Sequence, residues 1–284
     1  MVEWRLTRTY QSGAGEVRWD RLGAADARAT VLLHGTPFSS YVWRDVAAAL
    51  GRGRRVFLWD MPGYGASEKS SGQDVSIASQ AQVFADLLAH WGVTAPDVVA
   101  HDIGGAVALR TTLLHEVPYR RLVLVDPVAV RPWGSPFFRL VRDNAAVFEQ
   151  LPAALHEALV RAYIGEASSP GLRGEVLERL VEPWLGAAGQ AAFYRQIAQA
   201  DQRYTDEIQD RYGSIAMPVL VCWGTDDAWI PWSSGEQLAS MIPNARFELI
   251  DGAGHLVQED APAALIRLIE QFLGEPDVDA GRSA

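Results

Sequence analysis

Asp102 stands at the point where an apolar run meets a helical pattern. Residues 98–106 read Val-Val-Ala-His-Asp-Ile-Gly-Gly-Ala, so a strand leads through a tight turn into a helix, and Gly104 and Gly105 allow another segment to approach closely. Such a turn exposes the side chain at its tip, and the N–H groups at the helix start, including that of Ile103, stabilise negative charge there. We therefore predict that Asp102 is a carboxylate nucleophile. The alternative is that Asp102 only caps the helix, a role that aspartate fills well.

A second turn follows the first confident strand, at residues 33–37, Leu-His-Gly-Thr-Pro. A backbone N–H in this turn can donate to an oxyanion, whereas Pro37 has no N–H to donate. We expect Thr36 to supply this N–H, so that Thr36 and Ile103 form an oxyanion hole. The simpler interpretation is a strand-to-loop turn without a catalytic role.

Two adjacent carboxylates, Asp226 and Asp227, follow the apolar run at residues 219–223. Either one can orient a histidine. The sequence Gly-Thr-Asp-Asp at residues 224–227 fits a glycine-x-x-aspartate pattern, which favours Asp227 as the acid. Asp126 is a third candidate, although an Asp-Pro pair after a strand more commonly shapes a turn.

A histidine follows the last predicted strand, in Asp-Gly-Ala-Gly-His at residues 251–255. The glycines let His255 reach over the site, and we predict that it is the general base. His34 and His101 flank the site and are expected to support it. The other three histidines lie in helical patterns and are expected at the surface or in packing: His90, His115 and His156.

Short β-branched runs alternate with helical patterns, which predicts an α/β fold with a mostly parallel, doubly wound sheet. The predicted strands cover residues 30–33, 56–59, 98–100, 122–125, 219–222 and 246–250. The predicted helices cover residues 76–91, 104–114 and 262–272. Because sites in such sheets form at the carboxyl ends of the strands, we expect the polar residues above to converge.

The alternation of strands and helices stops between residues 131 and 212. This stretch is helical in pattern and rich in Trp, Tyr and Phe. We predict a helical cap, residues 132–212, inserted into a core formed by residues 1–131 and 213–274. The polar tail, residues 275–284, is predicted to be disordered.

Composition narrows the classes of function. The 284-residue chain has a formal net charge of -10, which argues against nucleic-acid binding, and its single lysine, Lys69, leaves little scope for Schiff-base chemistry. Its one cysteine, Cys222, excludes an intrachain disulfide. No run of apolar residues is long enough to span a membrane, and residues 1–10 lack the apolar segment of a secretory signal, so a cytoplasmic protein is expected. We find no metal-site spacing and no nucleotide-binding loop, and expect a small-molecule substrate and no cofactor.

The chain resembles the branch of the α/β-hydrolase superfamily that contains haloalkane dehalogenases, haloacetate dehalogenases and epoxide hydrolases. Residues 34–37, followed by Ser-Ser-Tyr-Val-Trp-Arg at residues 39–44, are similar to the dehalogenase opening. Residues 60–67, 101–105 and 252–255 match the superfamily more broadly. The order of nucleophile, acid and histidine along the chain is also that of the superfamily. The resemblance implies an α/β-hydrolase fold and covers the core rather than the cap.

The residues that hold a leaving group in these families are missing at their usual places. Haloalkane dehalogenases usually carry a tryptophan directly after the nucleophile, and haloacetate-type relatives an arginine, but this chain has Ile103. Thr36 likewise replaces an asparagine that often helps to hold the halide. Epoxide hydrolases present two cap tyrosines to the epoxide oxygen, and the candidates here are Tyr163, Tyr194, Tyr204 and Tyr212. We expect the substrate to contact four cap residues: Trp133, Trp184, Tyr194 and Tyr204.

The resemblance implies a mechanism with an ester intermediate. Asp102 displaces a halide or opens an epoxide, and His255, oriented by Asp227, activates the water that hydrolyses the resulting alkyl ester. A dehalogenase acting on a small or medium apolar substrate is the first hypothesis, and an epoxide hydrolase is the second. A non-hydrolytic enzyme or a ligand-binding protein on the same scaffold is the third.

Overall fold

An eight-stranded sheet forms the centre of the protein, whose residues 4–276 are described by a computed structural model. The strands lie in the order β1-β2-β4-β3-β5-β6-β7-β8, and β3 to β8 are parallel. Their bounds are β1 Arg8–Ser12, β2 Gly15–Leu22, β3 Ala29–Leu33, β4 Arg55–Trp59, β5 Asp97–His101, β6 Arg121–Val125, β7 Val219–Gly224 and β8 Ala245–Ile250. This arrangement confirms the predicted doubly wound, mostly parallel sheet and all six predicted strands.

Two strands were missed by the sequence prediction. β1 and β2 form an antiparallel hairpin at one edge of the sheet, where β2 pairs with β4. Only Val17 and Trp19 of β2 turn fully buried apolar side chains to the core, and β1 contains no apolar run at all. The alternation of apolar and polar residues in β1 and β2 is therefore too weak to identify these strands from the sequence.

The helices follow the expected 3.6-residue pattern. α3, which starts directly after Asp102, is buried at nearly every position, and Ser76 caps α2 by accepting a hydrogen bond from the Ser79 N–H at 3.2 Å. The helices are α1 Arg44–Leu50, α2 Ile77–His90, α3 Ile103–Leu114, α4 Pro136–Asp143, α5 Ala145–Phe148, α6 Ala153–Gly165, α7 Gly174–Val181, α8 Gly186–Gln199, α9 Arg203–Gln209, α10 Ser233–Met241, α11 Val257–Asp260 and α12 Pro262–Gly274.

The chain between β6 and β7 contains α4 to α9 and no strand. We call this segment, residues 126–218, the helical insertion. It lies where the sequence predicts a cap, while the division of the chain into domains at residues 131 and 213 stays a prediction.

The predicted tail at residues 275–284 falls mostly outside the described residues. Within it only Glu275 and Pro276 are described, and their carbonyl oxygens accept hydrogen bonds from Arg121 Nη2 at 2.9 and 2.7 Å. Across residues 4–276, no helix has the length and apolar character needed to cross a membrane.

Candidate active site

Asp102 occupies a sharp turn between β5 and α3, with φ 50° and ψ -125°, in the left-handed region that few non-glycine residues adopt. The turn is held by the Gly105 N–H, which donates to the Asp102 carbonyl oxygen at 2.8 Å. Two neighbours must be glycine for the turn to fit. A Cβ at Gly104 would overlap the His34 carbonyl oxygen, and one at Gly35 would overlap the Asp102 side chain.

The Asp102 carboxylate meets a backbone donor from the β3 turn. The Thr36 N–H donates to Asp102 Oδ2 at 2.7 Å. Burial raises the pKa of Asp102, but the neighbouring His255, together with His101 and the Ile103 N–H, outweighs burial, and the net pKa lies below its usual value. The carboxylate is therefore ionised at neutral pH. Of the two predicted oxyanion-hole residues, Thr36 contacts this carboxylate directly, and Ile103 begins α3 directly after it.

His255 lies between two carboxylates. Its Nδ1–H donates to Asp227 Oδ2 at 2.9 Å, and its Nε2 lies 3.6 Å from Asp102 Oδ1, beyond hydrogen-bond distance. Burial by itself lowers the pKa of His255, but the charge of Asp227, together with Asp102, raises it well above the ordinary value. The Asp227 Oδ1 atom accepts the N–H groups of Trp229 and Ile230 at 2.8 and 3.0 Å, which fixes the carboxylate that orients the histidine.

The two other candidate acids have different surroundings. Asp226 is exposed, and its Oδ2 accepts a hydrogen bond from the Ser169 hydroxyl at 2.9 Å. Asp126 is fully buried beside the site, where its Oδ1 accepts the Gly224 N–H at 2.9 Å and its Oδ2 has no hydrogen-bond partner. Asp227 alone of the three carboxylates hydrogen-bonds His255 in the described part of the chain.

Two buried histidines hold the loops around the site. His34 Nδ1–H donates to the Gly35 carbonyl oxygen, and His34 Nε2 accepts the Met61 N–H, both at 2.9 Å. His101 Nε2–H donates to the His255 carbonyl oxygen at 2.9 Å. Burial, aided by the neighbouring His255, lowers the pKa of His101 to about 3, so His101 is neutral. Both contacts agree with the predicted supporting role.

A small apolar cavity of about 30 Å³ adjoins Asp102. At roughly 10–15 Å³ per water molecule, it has room for about two waters. Trp229 forms part of its wall, and the Trp229 ring is stacked on Tyr163, with ring centroids 4.4 Å apart. The lining residues are Thr36, Asp102, Ile103, Val128, Trp133, Gly134, Ser135, Phe138, Tyr163, Trp229 and Ile230.

Of the four cap residues expected to contact substrate, Trp133 lines this cavity, but its indole N–H donates to Thr205 Oγ1 at 2.8 Å. The other three do not line this cavity, and their contact with substrate stays a prediction. The Trp184 indole N–H donates to the Pro37 carbonyl oxygen at 2.7 Å, and the Tyr194 hydroxyl pairs with His156 Nδ1 at 2.9 Å. Tyr204 accepts a hydrogen bond from Arg203 at the surface.

Three functional candidates were not singled out from the sequence. Trp229 lines the cavity, while Gln196 and Tyr64 are buried behind Thr36 and hydrogen-bond each other at 3.1 Å. Trp229 carried an available signal, since it lies two residues after Asp227. No local pattern distinguished Gln196 from other residues of the helical insertion. Tyr163, one of the four candidate tyrosines for an epoxide oxygen, also lines the cavity. Within residues 4–276, no group of three His, Cys, Asp or Glu side chains is placed to hold a metal ion.

Comparison with known proteins agrees with this fold. The family model for the alpha/beta hydrolase fold matches residues 30–262, most of the chain. The chain belongs to the α/β-hydrolase family.

The names of individual relatives describe different activities. An alpha/beta hydrolase fold protein from Burkholderia ambifaria is 46% identical, covers 94% of this chain and 98% of its own, and superimposes with a TM-score of 0.91. A cis-3-alkyl-4-alkyloxetan-2-one decarboxylase from Xanthomonas campestris is 26% identical, with 88% of this chain and 90% of the relative covered. A mutant of the haloalkane dehalogenase DatA from Agrobacterium tumefaciens covers 94% and 96%, with a TM-score of 0.80. At 18% identity, this last likeness shows the fold alone.

Proposed function

We propose that the chain is a hydrolase in which Asp102 attacks a saturated carbon and forms an alkyl ester, which a water activated by His255 then hydrolyses. One observation carries this proposal. The Thr36 N–H donates to Asp102 Oδ2 at 2.7 Å, while Asp102 Oδ1 faces His255 Nε2 at 3.6 Å.

The first step follows from the unequal surroundings of the two Asp102 oxygens. Oδ1 attacks the carbon, an oxygen–carbon bond forms, and the bond to the leaving group breaks with its electron pair going to that group. The apolar cavity favours this step, because a poorly solvated carboxylate is a stronger nucleophile than one surrounded by water.

The second step uses the histidine. His255 Nε2 takes a proton from water, whose oxygen attacks the carbonyl carbon of the Asp102 ester, and Asp227 stabilises the imidazolium. The oxyanion forms on Oδ2, which already accepts the Thr36 N–H at 2.7 Å, and we assign Ile103, the first residue of α3, as the second donor. When the tetrahedral intermediate collapses, the bond between that carbon and the alkyl-bearing oxygen breaks. The alcohol leaves with the proton that His255 holds, and the Asp102 carboxylate is restored. Esterification also removes the charge of Asp102, one of the causes that raise the pKa of His255, so the ester intermediate itself favours the neutral base.

A halide is the first candidate for the leaving group. The residues at 34–44 resemble the dehalogenase opening, and the cavity beside Asp102 is apolar. The indole N–H groups of Trp133 and Trp184 are engaged by protein oxygens, whereas that of Trp229 has no acceptor among the described residues. Trp229 is therefore the indole that could donate to a halide.

An epoxide oxygen is the second candidate, and Tyr163 favours it. Tyr163 lines the cavity, and burial followed by the charge of Asp102 raises its pKa well above the ordinary value. The phenol thus stays protonated near the nucleophile and can donate to a developing alkoxide. The oxetan-2-one in the name of the Xanthomonas relative is also a strained ring containing oxygen.

Mass spectrometry of the intact His255→Gln variant tests the proposal. The variant should complete the first step but not the second, so the ester accumulates. It is incubated separately with haloalkanes, epoxides and an oxetan-2-one, and any adduct is mapped by peptide digestion.

Each outcome has a distinct meaning. A mass gain of the alkyl group without halogen at Asp102 supports the dehalogenase, and addition of a whole epoxide or lactone supports the strained-ring substrates. Steady turnover by His255→Gln would contradict the scheme. Absence of any adduct would instead favour a non-hydrolytic or ligand-binding protein on this fold.

A further inference from the structure

Gln196 reaches from the helical insertion into the core. It lies on α8 with only 1% of its surface exposed, and its Oε1 accepts hydrogen bonds from the Thr36 hydroxyl and from the Tyr64 hydroxyl, the latter at 3.1 Å. The two hydroxyls are themselves 3.3 Å apart. One carboxamide oxygen of the insertion therefore holds two hydroxyls that belong to separate core loops.

Thr36 connects this cluster to the nucleophile. Its side chain binds Gln196, while its own backbone N–H donates to Asp102 Oδ2 at 2.7 Å. Since a fixed side chain restrains the backbone that bears it, the direction of the Thr36 N–H depends on the contact with Gln196.

The other half of the Gln196 amide makes no such contact. Its Nε2 is buried and has no hydrogen-bond partner among the described residues. A buried amide that leaves its N–H groups unpaired is unfavourable for stability. A role in general stabilisation of the contact between α8 and the core therefore explains Gln196 poorly. The contacts that set this side chain apart are those of its Oε1 with the hydroxyls of Thr36 and Tyr64.

A second glutamine on the same helix provides an internal comparison. Gln199 also joins α8 to the core, since its Oε1 accepts the Val75 N–H at 2.7 Å and its Nε2 donates to the Gln73 carbonyl oxygen at 3.1 Å. Both contacts involve residues that do not line the cavity. Gln199 thus holds the insertion on the core without touching the loop that carries Thr36.

We propose that Gln196 is a positioning residue, which makes the oxyanion hole depend on the seating of the helical insertion. Residues of the core and of the insertion together line the cavity beside Asp102, so a movement of the insertion changes access to the nucleophile. Withdrawal of α8 releases the Thr36 side chain, and its return aims the Thr36 N–H at Asp102 again. The catalytic consequence rests on the role of Thr36 in the proposed function.

Kinetics of matched variants form the first test. Gln196→Met keeps the length of the side chain but removes the acceptor, and we expect kcat to fall by about 10- to 100-fold, less than for complete loss of an oxyanion donor, with KM nearly unchanged. Gln199→Met should leave kcat within about threefold, as expected for loss of one peripheral contact.

A double-mutant cycle separates positioning from a general structural effect. Thr36→Val should reproduce the loss of Gln196→Met, and the double variant should be no slower than either single variant, because both break one contact. Thr36→Ser keeps the hydroxyl, so its kcat should fall less than that of Thr36→Val. Additive losses, or an equal loss in Gln199→Met, would overturn the proposal.

Amide hydrogen exchange supplies a readout that needs no substrate. By NMR, Gln196→Met should speed exchange at the Thr36 N–H by at least about tenfold, whereas Gln199→Met should leave it unchanged. Unchanged exchange at Thr36 in Gln196→Met would refute the coupling. Faster exchange there, combined with no adduct in His255→Gln, would reject the proposed function while the coupling stands.

Discussion

At the scale of single residues, Asp126 and Asp227 differ in their hydrogen-bond donors. Asp227 receives the N–H groups of Trp229, Ile230 and His255, which suits a carboxylate. Asp126 receives only the Gly224 N–H. Burial raises the pKa of Asp126 well above its usual value, and the nearby charge of Asp227 raises it further. The protonated, neutral form of Asp126 is therefore favoured more than in an ordinary aspartate, whereas Asp227 is the carboxylate that hydrogen-bonds His255.

This difference predicts opposite responses to the same substitution. Asp126→Asn replaces a carboxyl group whose neutral form is favoured with a neutral amide of similar shape, so activity should stay within about threefold of the unsubstituted chain. Asp227→Asn removes the charge that stabilises the imidazolium, and the hydrolysis step should slow by about 10²- to 10⁴-fold. Single-turnover rates with a substrate identified by the adduct experiment measure both effects. A large loss in Asp126→Asn with little loss in Asp227→Asn would reverse the assignment.

At the scale of secondary structure elements, a buried ionic cluster joins the amino end of β5 to α12. Asp97, the first residue of β5, is fully buried and contacts Arg54 at 2.5 Å and Arg120 at 2.8 Å. Both arginines also donate to the carbonyl oxygen of Leu273 in the last turn of α12. The cluster lies at the end of β5 opposite Asp102, so it stabilises the sheet without contacting the site.

Removal of the central carboxylate should therefore reduce stability but not catalysis. Asp97→Ala leaves two largely buried guanidinium groups without their anion, and we expect a loss of about 3–5 kcal/mol in the free energy of unfolding. Urea denaturation measures this loss. The control is Asp45→Ala, because Asp45 is exposed and its ion pair with Arg44 is 3.7 Å long. The control should lose less than about 0.5 kcal/mol in the free energy of unfolding. Comparable losses in the two variants would contradict the expectation that burial makes the ion pairs of Asp97 important for stability.

At the scale of the whole molecule, the core and the helical insertion enclose the cavity together. Thr36, Asp102 and Trp229 form its core side, and Trp133 and Phe138 belong to the insertion. Phe138 is 5% exposed and lies on α4, whereas its neighbour Phe137 packs on Tyr163 without lining the cavity. We therefore expect the insertion to limit the size of the substrate.

Shortening the Phe138 side chain should enlarge the range of substrates. In the His255→Gln background, Phe138→Ala should raise the rate of adduct formation with the longest reactive substrate by at least about tenfold, because one methylene group in an apolar pocket commonly changes rates this much. Phe137→Ala is the matched control and should preserve the original size preference. If both variants keep that preference, α4 does not set the size limit.

The sequence by itself was sufficient to predict that the residues just after the strands lie together. Asp102, Thr36, Asp227 and His255 each lie within five residues of the end of a strand, and parallel strands bring their carboxyl ends together whatever the connecting helices do. The hairpin of β1 and β2 was missed because edge strands with one buried face carry few apolar residues.

The tertiary structure alone decided which side chains of the helical insertion face the site. Periodicity identifies helices and their apolar faces, but it does not tell how α4 to α9 pack on one another or on the core. Trp184 and Tyr194 therefore proved to hydrogen-bond protein groups away from the cavity, while Tyr163 lines it. The contact between Thr36 and Gln196 joins residues 160 positions apart, and such a contact depends on helix orientations that are set only when the whole core is packed.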